Sequence, residues 1–204
     1  MNLFSNNNQE FTSVIEDDGQ VDYYGPIIEK NDADRYFELL NKTIDWKPDQ
    51  ALMFGQLITT KRAVAWYADQ SFSYTYSNIT KTALEWTEEL LSLKTMVESV
   101  SGTTFNSCLL NLYHDGSEGM GWHSDGEKEL KKHGVIASLS FGSERKFCFK
   151  HKTKGTKIDL VLSHGSLLIM KGSTQDHWLH RLPPTKLIKG PRINLTFRTI
   201  GNNQ

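Results

Sequence analysis

Apolar and polar positions follow two rhythms along the chain of 204 residues, and the change between them organises it. Residues 1–20 are polar and aperiodic, which predicts a flexible tail with one strand-like piece at Phe11–Ile15. An apolar lead-in, Val21–Ile28, precedes a helix in which Ala33, Tyr36, Phe37 and Leu40 recur at helical spacing. Asn31 or Asp32 is placed to cap it. From Ala51 to Ser77 the rhythm shortens into aromatic-rich strands, at Leu52–Phe54, Leu57–Thr60, Ala63–Tyr67 and Tyr74–Tyr76. A second helix is expected to open at Thr80 or Thr82, to carry Leu84, Leu91 and Met96/Val97 on one stripe, and to stop at Gly102. Trp86 on that stretch reads as core.

Beyond Gly102 the pattern is strand throughout. The expected segments are Phe105–Tyr113, Met120–His123, Val135–Phe141, Arg145–Phe149, Thr156–Leu162, Ser166–Met170, Asp176–His180 and Arg192–Thr199. Short strands at this spacing, separated by Gly, Ser, Lys and Pro turns, predict a double-sheet jelly roll. With helices from the first half on one face, the class is mostly β with flanking helices (α+β) around a double-stranded β-helix. No repeat, low-complexity tract or linker splits the chain, so residues 21–204 read as one domain, with 21–104 feeding a core at 105–200.

Composition narrows the class. This length suits a single domain with a sizeable core, and no apolar run approaches the ~20 residues a membrane helix needs. The first ten residues lack the basic and apolar regions of a signal peptide. Two cysteines, Cys108 and Cys148, make no disulfide framework, which fits a reducing compartment, cytoplasmic or nuclear. The net charge of −1 hides an asymmetry: residues 1–122 hold 8 Lys/Arg against 18 Asp/Glu, and residues 123–204 hold 15 against 6. Either the two halves neutralise each other within one fold, or the second half presents a basic surface to a polyanion.

Candidate chemistry gathers around Asn111–Asp125, which ends in His123-Ser124-Asp125 behind a turn containing Gly116, Gly119 and Gly121. In extended chain, residues i and i+2 project to one face. Imidazole and carboxylate then converge, and a further histidine completes the 2-His-1-carboxylate facial site of non-haem Fe(II). A surface turn with a capping Asp is the plainer reading of an isolated H-x-D. Downstream, Asp176-His177-Trp178-Leu179-His180 offers two histidines on opposite faces of a strand, and either can be the third ligand. In Arg192–Arg198 the alternation puts Arg192, Asn194, Thr196 and Arg198 on one face and Ile193, Leu195 and Phe197 on the other. An edge strand with a wet face accounts for that pattern. So does a buried anion, since inward arginines are costly unless each meets one, and the guanidinium fork suits a carboxylate.

Taken in order, H-x-D, a distant His before Leu-Pro, and R-x-N-L-T-F-R resemble the AlkB family of Fe(II)/2-oxoglutarate-dependent dioxygenases. The N-x-Y-x-x-G run at Asn111–Gly116, Ser138–Gly142 and Gly165–Met170 are also similar to that family. The resemblance covers roughly residues 50–200 and looks closest to the members that repair alkylated DNA. It implies His123, Asp125 and His180 as iron ligands, Asn111 and Tyr113 as donors to 2-oxoglutarate, Arg192 on its distal carboxylate, and Asn194 and Arg198 in support. The implied cofactors are Fe(II), 2-oxoglutarate and O2, with succinate, CO2 and formaldehyde as products.

The resemblance also implies a nucleic-acid partner, with 21–104 serving nucleotide recognition. Such chemistry needs a base flipped from the stack. Tyr76 matches the aromatic that stacks on the lesion opposite His123, with Tyr74 beside it, and Gly126 and Glu127 fall where the exocyclic group is read. Trp66 and Tyr67 read either as pocket or as core. Lys61, Arg62, Lys150, Lys152, Lys154 and Lys157 read either as phosphate contacts or as solvated surface. Phe54, followed by Gly55 and Gln56, resembles the wedge of the duplex-acting homologue; core packing is the competing reading. The expected activity is oxidative demethylation of N1-methyladenine and N3-methylcytosine in DNA by a monomer. The alternatives are an RNA or protein demethylase on the same scaffold, or a non-catalytic jelly-roll binding module.

Overall fold

The computed structural model describes residues 10–53, 56–76 and 79–201, with backbone alone over 51–53, 56–58, 73–76 and 79–81. The described chain runs β1 (Thr12–Ile15), β2 (Gln20–Pro26), α1 (Lys30–Thr43), β3 (Lys47–Met53), β4 (Gln56–Ala68), β5 (Ser73–Tyr76), β6 (Ile79–Thr82) and α2 (Glu88–Ser101). It continues β7 (Ser107–Tyr113), β8 (Met120–His123), β9 (Ile136–Gly142), β10 (Arg145–His151), β11 (Lys157–Leu162), β12 (Ser166–Lys171), α3 (Thr174–His177), β13 (Trp178–Leu182) and β14 (Arg192–Arg198). An eight-stranded sheet has the order β1-β2-β12-β9-β14-β7-β4-β3, a four-stranded sheet β11-β10-β13-β8, and β5 pairs with β6 alone. This is the jelly roll that the strand spacing predicts. No helix among the described residues is long and apolar enough to cross a membrane.

Period-two alternation explains the layering. One face of the large sheet carries Leu110, Leu139, Phe141, Ile193, Leu195 and Phe197, and these pack against Ala33, Tyr36 and Leu40 of α1 and Leu90, Leu93 and Val97 of α2. The other face meets the small sheet, where Val21, Ile136, Leu168 and Met170 close on Phe149, Leu162 and Trp178. Burying each of these side chains stabilises the fold by roughly 1.5–3 kcal/mol. Between the sheets, next to this second cluster, the inward positions of β7, β9 and β14 are polar instead: Asn111, Tyr113, Ser138, Ser140, Arg192, Asn194 and Thr196, all buried. The functional site is built on that stripe.

Several expectations shift. The strand-like piece expected at Phe11–Ile15 is β1, and it is no loose tail, since it pairs with β2 and buries Ile15. Helix α1 starts before its expected caps: Glu29 occupies the N-cap position, so Asn31 and Asp32 lie inside the first turn. The strands anticipated at Leu57–Thr60 and Ala63–Tyr67 are one, because β4 pairs first with β3 and then with β7 across its polar middle. The second helix opens later than Thr80 or Thr82, which belong to β6. Its cap is Thr87, whose side chain accepts from the Leu90 amide at 3.3 Å. The buried stripe is Leu90, Leu93 and Val97, so Val97 keeps its expected place, while Leu84, which precedes the helix, and Leu91 are exposed. Gly102 ends α2 in the left-handed region, φ 65°, where glycine carries no Cβ penalty.

Strands from both sides of residue 104 interleave, since β12 pairs with β2 and β7 with β4; the division there is one of sequence and not of packing. Ion pairs join the two oppositely charged parts, Lys171 to Asp22 at 2.8 Å and Lys154 to Asp17 and Asp18 at 2.5 and 2.6 Å. Neutralisation within one fold therefore accounts for part of the charge asymmetry. Phe54 and Gly55 lie outside the described residues, and for Gln56, Tyr74 and Tyr76 only the backbone is described.

Candidate active site

His123 ends β8 and His180 sits in β13, and the two are paired residues across the small sheet. Their rings meet edge-on at 4.3 Å. Asp125, two residues beyond His123, brings Oδ1 to 3.6 Å from His123 Nε2 and 3.8 Å from His180 Nε2. The ligand atoms of all three lie within 4.8 Å of one another, close enough for one cation to take all three.

Each group is held in the form a metal needs. His123 Nδ1 donates to the Gly121 carbonyl at 2.9 Å, which orients the ring with Nε2 turned toward Asp125. His180 is stacked on Phe147 at 5.5 Å, and burial among these rings pushes its pKa down to about 4 although Asp125 pulls the other way. It is therefore neutral at physiological pH. Burial alone would raise the Asp125 carboxyl, but electrostatics, the Arg198 guanidinium foremost, outweigh it and hold it below the ordinary 3.8. Gln175 Oε1 accepts from the Asp125 amide at 2.8 Å and fixes the loop.

His177 does not compete for this site. The strand expected over Asp176–His180 begins only at Trp178, because Thr174 is pinned to Lys171 and Gln20 and winds residues 174–177 into α3. His177 falls in a separate group with Asp18 and His151.

Behind the triad lies the polar stripe. Arg192 is 2% exposed, donates to Ser140 Oγ at 2.9 Å and Asn194 Oδ1 at 2.7 Å, and faces the Tyr113 ring at 5.6 Å. Its Nε is buried without a partner, and no carboxylate pairs with it among the described residues. Burial lowers its pKa to about 10, so it remains a cation. A buried guanidinium with an unused N–H fits an anionic ligand. Asn194 is held by Ser138 and Thr196 at 2.9 and 2.8 Å. Arg198 Nε approaches Asp125 Oδ2 at 3.6 Å, and its Nη1 lies 3.1 Å from Glu127 Oε1. Burial weighs against the Arg198 charge, but Asp125 and Glu127 overcompensate and raise its pKa.

Arg62 departs from the phosphate reading. It is buried, forms an ion pair with Asp49 and donates to Asn111 Oδ1 at 2.8 Å, so it orients a residue of the stripe. Tyr67 belongs to the core, whereas Trp66 takes the inward face and donates to Ser107 Oγ at 2.8 Å. Lys152 donates to the Gln175 carbonyl at 2.8 Å, which with the Lys154 ion pairs engages two of the expected phosphate lysines within the chain. Gly126 and Glu127 are exposed and border a cavity of about 360 Å3 that reaches Asp125 and Arg198.

Arg145 was not singled out from the sequence. It is 1% exposed and donates to the carbonyls of Asp115, Gly116, Glu118 and Pro183 at 2.8–3.3 Å. This joins the glycine turn after β7 to the loop after β13. The signal was its place on β10, in phase with the inward Phe147 and Phe149.

Comparison with known proteins agrees with this geometry. A model of the 2OG-Fe(II) oxygenase superfamily matches residues 20–198. The human protein DNA oxidative demethylase ALKBH2 is 38% identical over 188 residues, which span 87% of this chain and 72% of that one. Bovine alpha-ketoglutarate-dependent dioxygenase alkB homolog 3 is 39% identical over 183 residues, 85% of this chain and 63% of that one. The solved structure of OsALKBH1 superposes with a TM-score of 0.60 at 14% identity, over 93% of this chain and 100% of that chain, a likeness of fold.

Proposed function

The chain belongs to the 2OG-Fe(II) oxygenase superfamily and within it to the AlkB family, and from that membership we propose that it is a DNA oxidative demethylase acting on N1-methyladenine and N3-methylcytosine. The observation that carries the reading is the juxtaposition of a His123–Asp125–His180 cluster with a buried, acid-free Arg192 on the adjoining sheet. When bound, Fe(II) with 2-oxoglutarate and O2 supplies the oxidation that leaves succinate, CO2 and formaldehyde.

In this reading His123, Asp125 and His180 hold the iron. The low pKa of His180 and the ionised state of Asp125 spare both groups a proton exchange on metal binding. Arg192 takes the distal carboxylate of 2-oxoglutarate on its free edge, and Asn111 and Tyr113 donate to the cosubstrate. Asn194 fixes the Arg192 rotamer, and Arg198 steadies Asp125. The flipped base stacks between Tyr76 and His123 with Tyr74 alongside, while Gly126 leaves room and Glu127 accepts from the exocyclic amino group. Arg62 contributes through Asn111. Phe54, Gly55 and Gln56 meet the duplex, where Phe54 fills the gap left by the base. The enzyme works as a monomer in the cytoplasm or nucleus, in keeping with two free, buried cysteines.

The test is incubation of Fe(II)-loaded protein and 2-oxoglutarate with methylated single-stranded DNA, duplex DNA and RNA, following base mass and formaldehyde. Repair of the DNA substrates is the expected result. Turnover confined to RNA or to a methylated peptide identifies a different demethylase, and no turnover on any of them refutes the assignment. Phe54→Ala should lower repair of duplex far more than of single strands at an unchanged melting temperature; equal loss on both, with a falling melting temperature, makes Phe54 core.

A further inference from the structure

The two histidines of the cluster are secured very unequally. His180 lies in an inner strand of the small sheet and is packed by Phe147 and Phe149 at 5.5 and 6.1 Å. His123 is the last residue of a four-residue strand at the sheet edge. That strand matches β13 only at His180↔His123 and Leu182↔Met120, with an irregularity between them. Its backbone ladder alone is a weak tether for a metal ligand.

On the outer face, the residue before His123 and the residue after His180 make a cross-strand contact. The Arg181 guanidinium carbon stands 4.6 Å over the Trp122 ring. Arg181 Nε is buried and has no hydrogen-bond partner, so this edge of the guanidinium is left to the indole. On its other side Arg181 is registered to Cys148 of β10, which is registered in turn to Asp159 of β11. A chain of contacts thus runs from β11 through β10 and β13 to the edge strand.

We propose that Trp122 and Arg181 are positioning residues for the metal: their stacked pair clamps β8 onto β13 and so sets the separation of His123 from His180. The proposal rests on those histidines being ligands. It places the determinant of metal affinity on the solvent side of the sheet, where neither residue touches the metal or its cosubstrate.

Titration of the full chain with Mn(II), followed by electron paramagnetic resonance, tests it. Trp122→Ala and Arg181→Met should each weaken Mn(II) binding by about tenfold, the lower end for residues that orient a metal ligand. The double variant should be no weaker than either single one, because each removes the same contact. Trp122→Phe and Arg181→Lys, which keep a ring and a cation, should recover most of the affinity. The melting temperature and the affinity for 2-oxoglutarate with Mn(II) saturating should stay at wild-type values. Unchanged Mn(II) affinity in the single variants, additive losses in the double, or a melting temperature that falls in step with affinity overturns the clamp. A His123→Ala variant that keeps wild-type Mn(II) affinity overturns the ligand assignment beneath it, and the clamp with it.

Discussion

The large and small sheets hold their halves of the site by different means. On the large sheet Asn111, Arg192 and Asn194 stand on inner strands covered on both faces, and each is cross-braced by another buried side chain. On the small sheet one histidine is buried, and the other stands on an edge strand with its side chain 35% exposed. In the proposed function the charged end of the cosubstrate meets a rigid, desolvated socket there, where a hydrogen bond to an ion is strongest. The metal end stays open to a substrate entering from solvent. Rigidity is concentrated where a small ligand must be recognised in full, and access where a large one must come and go.

The largest effect expected from breaking this arrangement is at the metal. His180→Ala or Asp125→Ala should abolish turnover and Mn(II) binding, whereas His177→Ala should leave both largely intact; calorimetric titration of the three variants decides it. Next comes Arg192→Ala, which leaves the distal carboxylate without its charged partner, a loss of roughly 2–5 kcal/mol in comparable buried pairs. The 2-oxoglutarate concentration for half-maximal rate should rise by two orders of magnitude or so while Mn(II) still binds. A normal 2-oxoglutarate dependence would remove Arg192 from the site. Smaller is Gly116→Ala, whose Cβ would come within 2.5 and 2.6 Å of the Thr185 and Ile188 carbonyl oxygens. Forcing those loops apart should cost about 1–3 kcal/mol, read in urea unfolding, and should disturb Arg145 and Tyr113 more than the histidines. Smallest is Thr87→Ala, far from both sheets' inner faces: loss of its cap should cost about 0.5–2 kcal/mol and move neither metal nor cosubstrate affinity.

The sequence was most legible where alternation and chemistry agreed. Arg192–Arg198 reads as a strand with a charged face, and the structure buries that face between the sheets. His123 and Asp125 converge as their i, i+2 spacing demands. It misled where a short polar run hid continuous strand, as at Thr59–Arg62, since Arg62 is neutralised by Asp49, which stands on β3 and cannot be seen locally. It misled again at Asp176–His180, where the side chain of Thr174, bonded to a residue 154 positions away, converts the start of a strand into a helical turn. The cap of α2 was misplaced for a different reason: Thr80 and Thr82 precede the apolar stretch as Thr87 does, but pairing of β6 with β5 takes both into a strand and leaves the cap to Thr87. What local pattern cannot carry is partnership at long range.

β14 lies in the interior of the large sheet, hydrogen-bonded to β9 on one side and β7 on the other, yet it follows every other described strand in the chain. During synthesis β7 and β9 therefore emerge with a gap between them that only residues 192–198 can fill. Their open edges are exposed for the time the ribosome needs to deliver those residues, and pairing to another chain competes with pairing to the missing strand. The same seven residues bring Arg192, Asn194 and Arg198. Closure of the sheet and completion of the polar stripe are thus one event, and a nascent chain has no intermediate stage at which the stripe is finished while the sheet is still open.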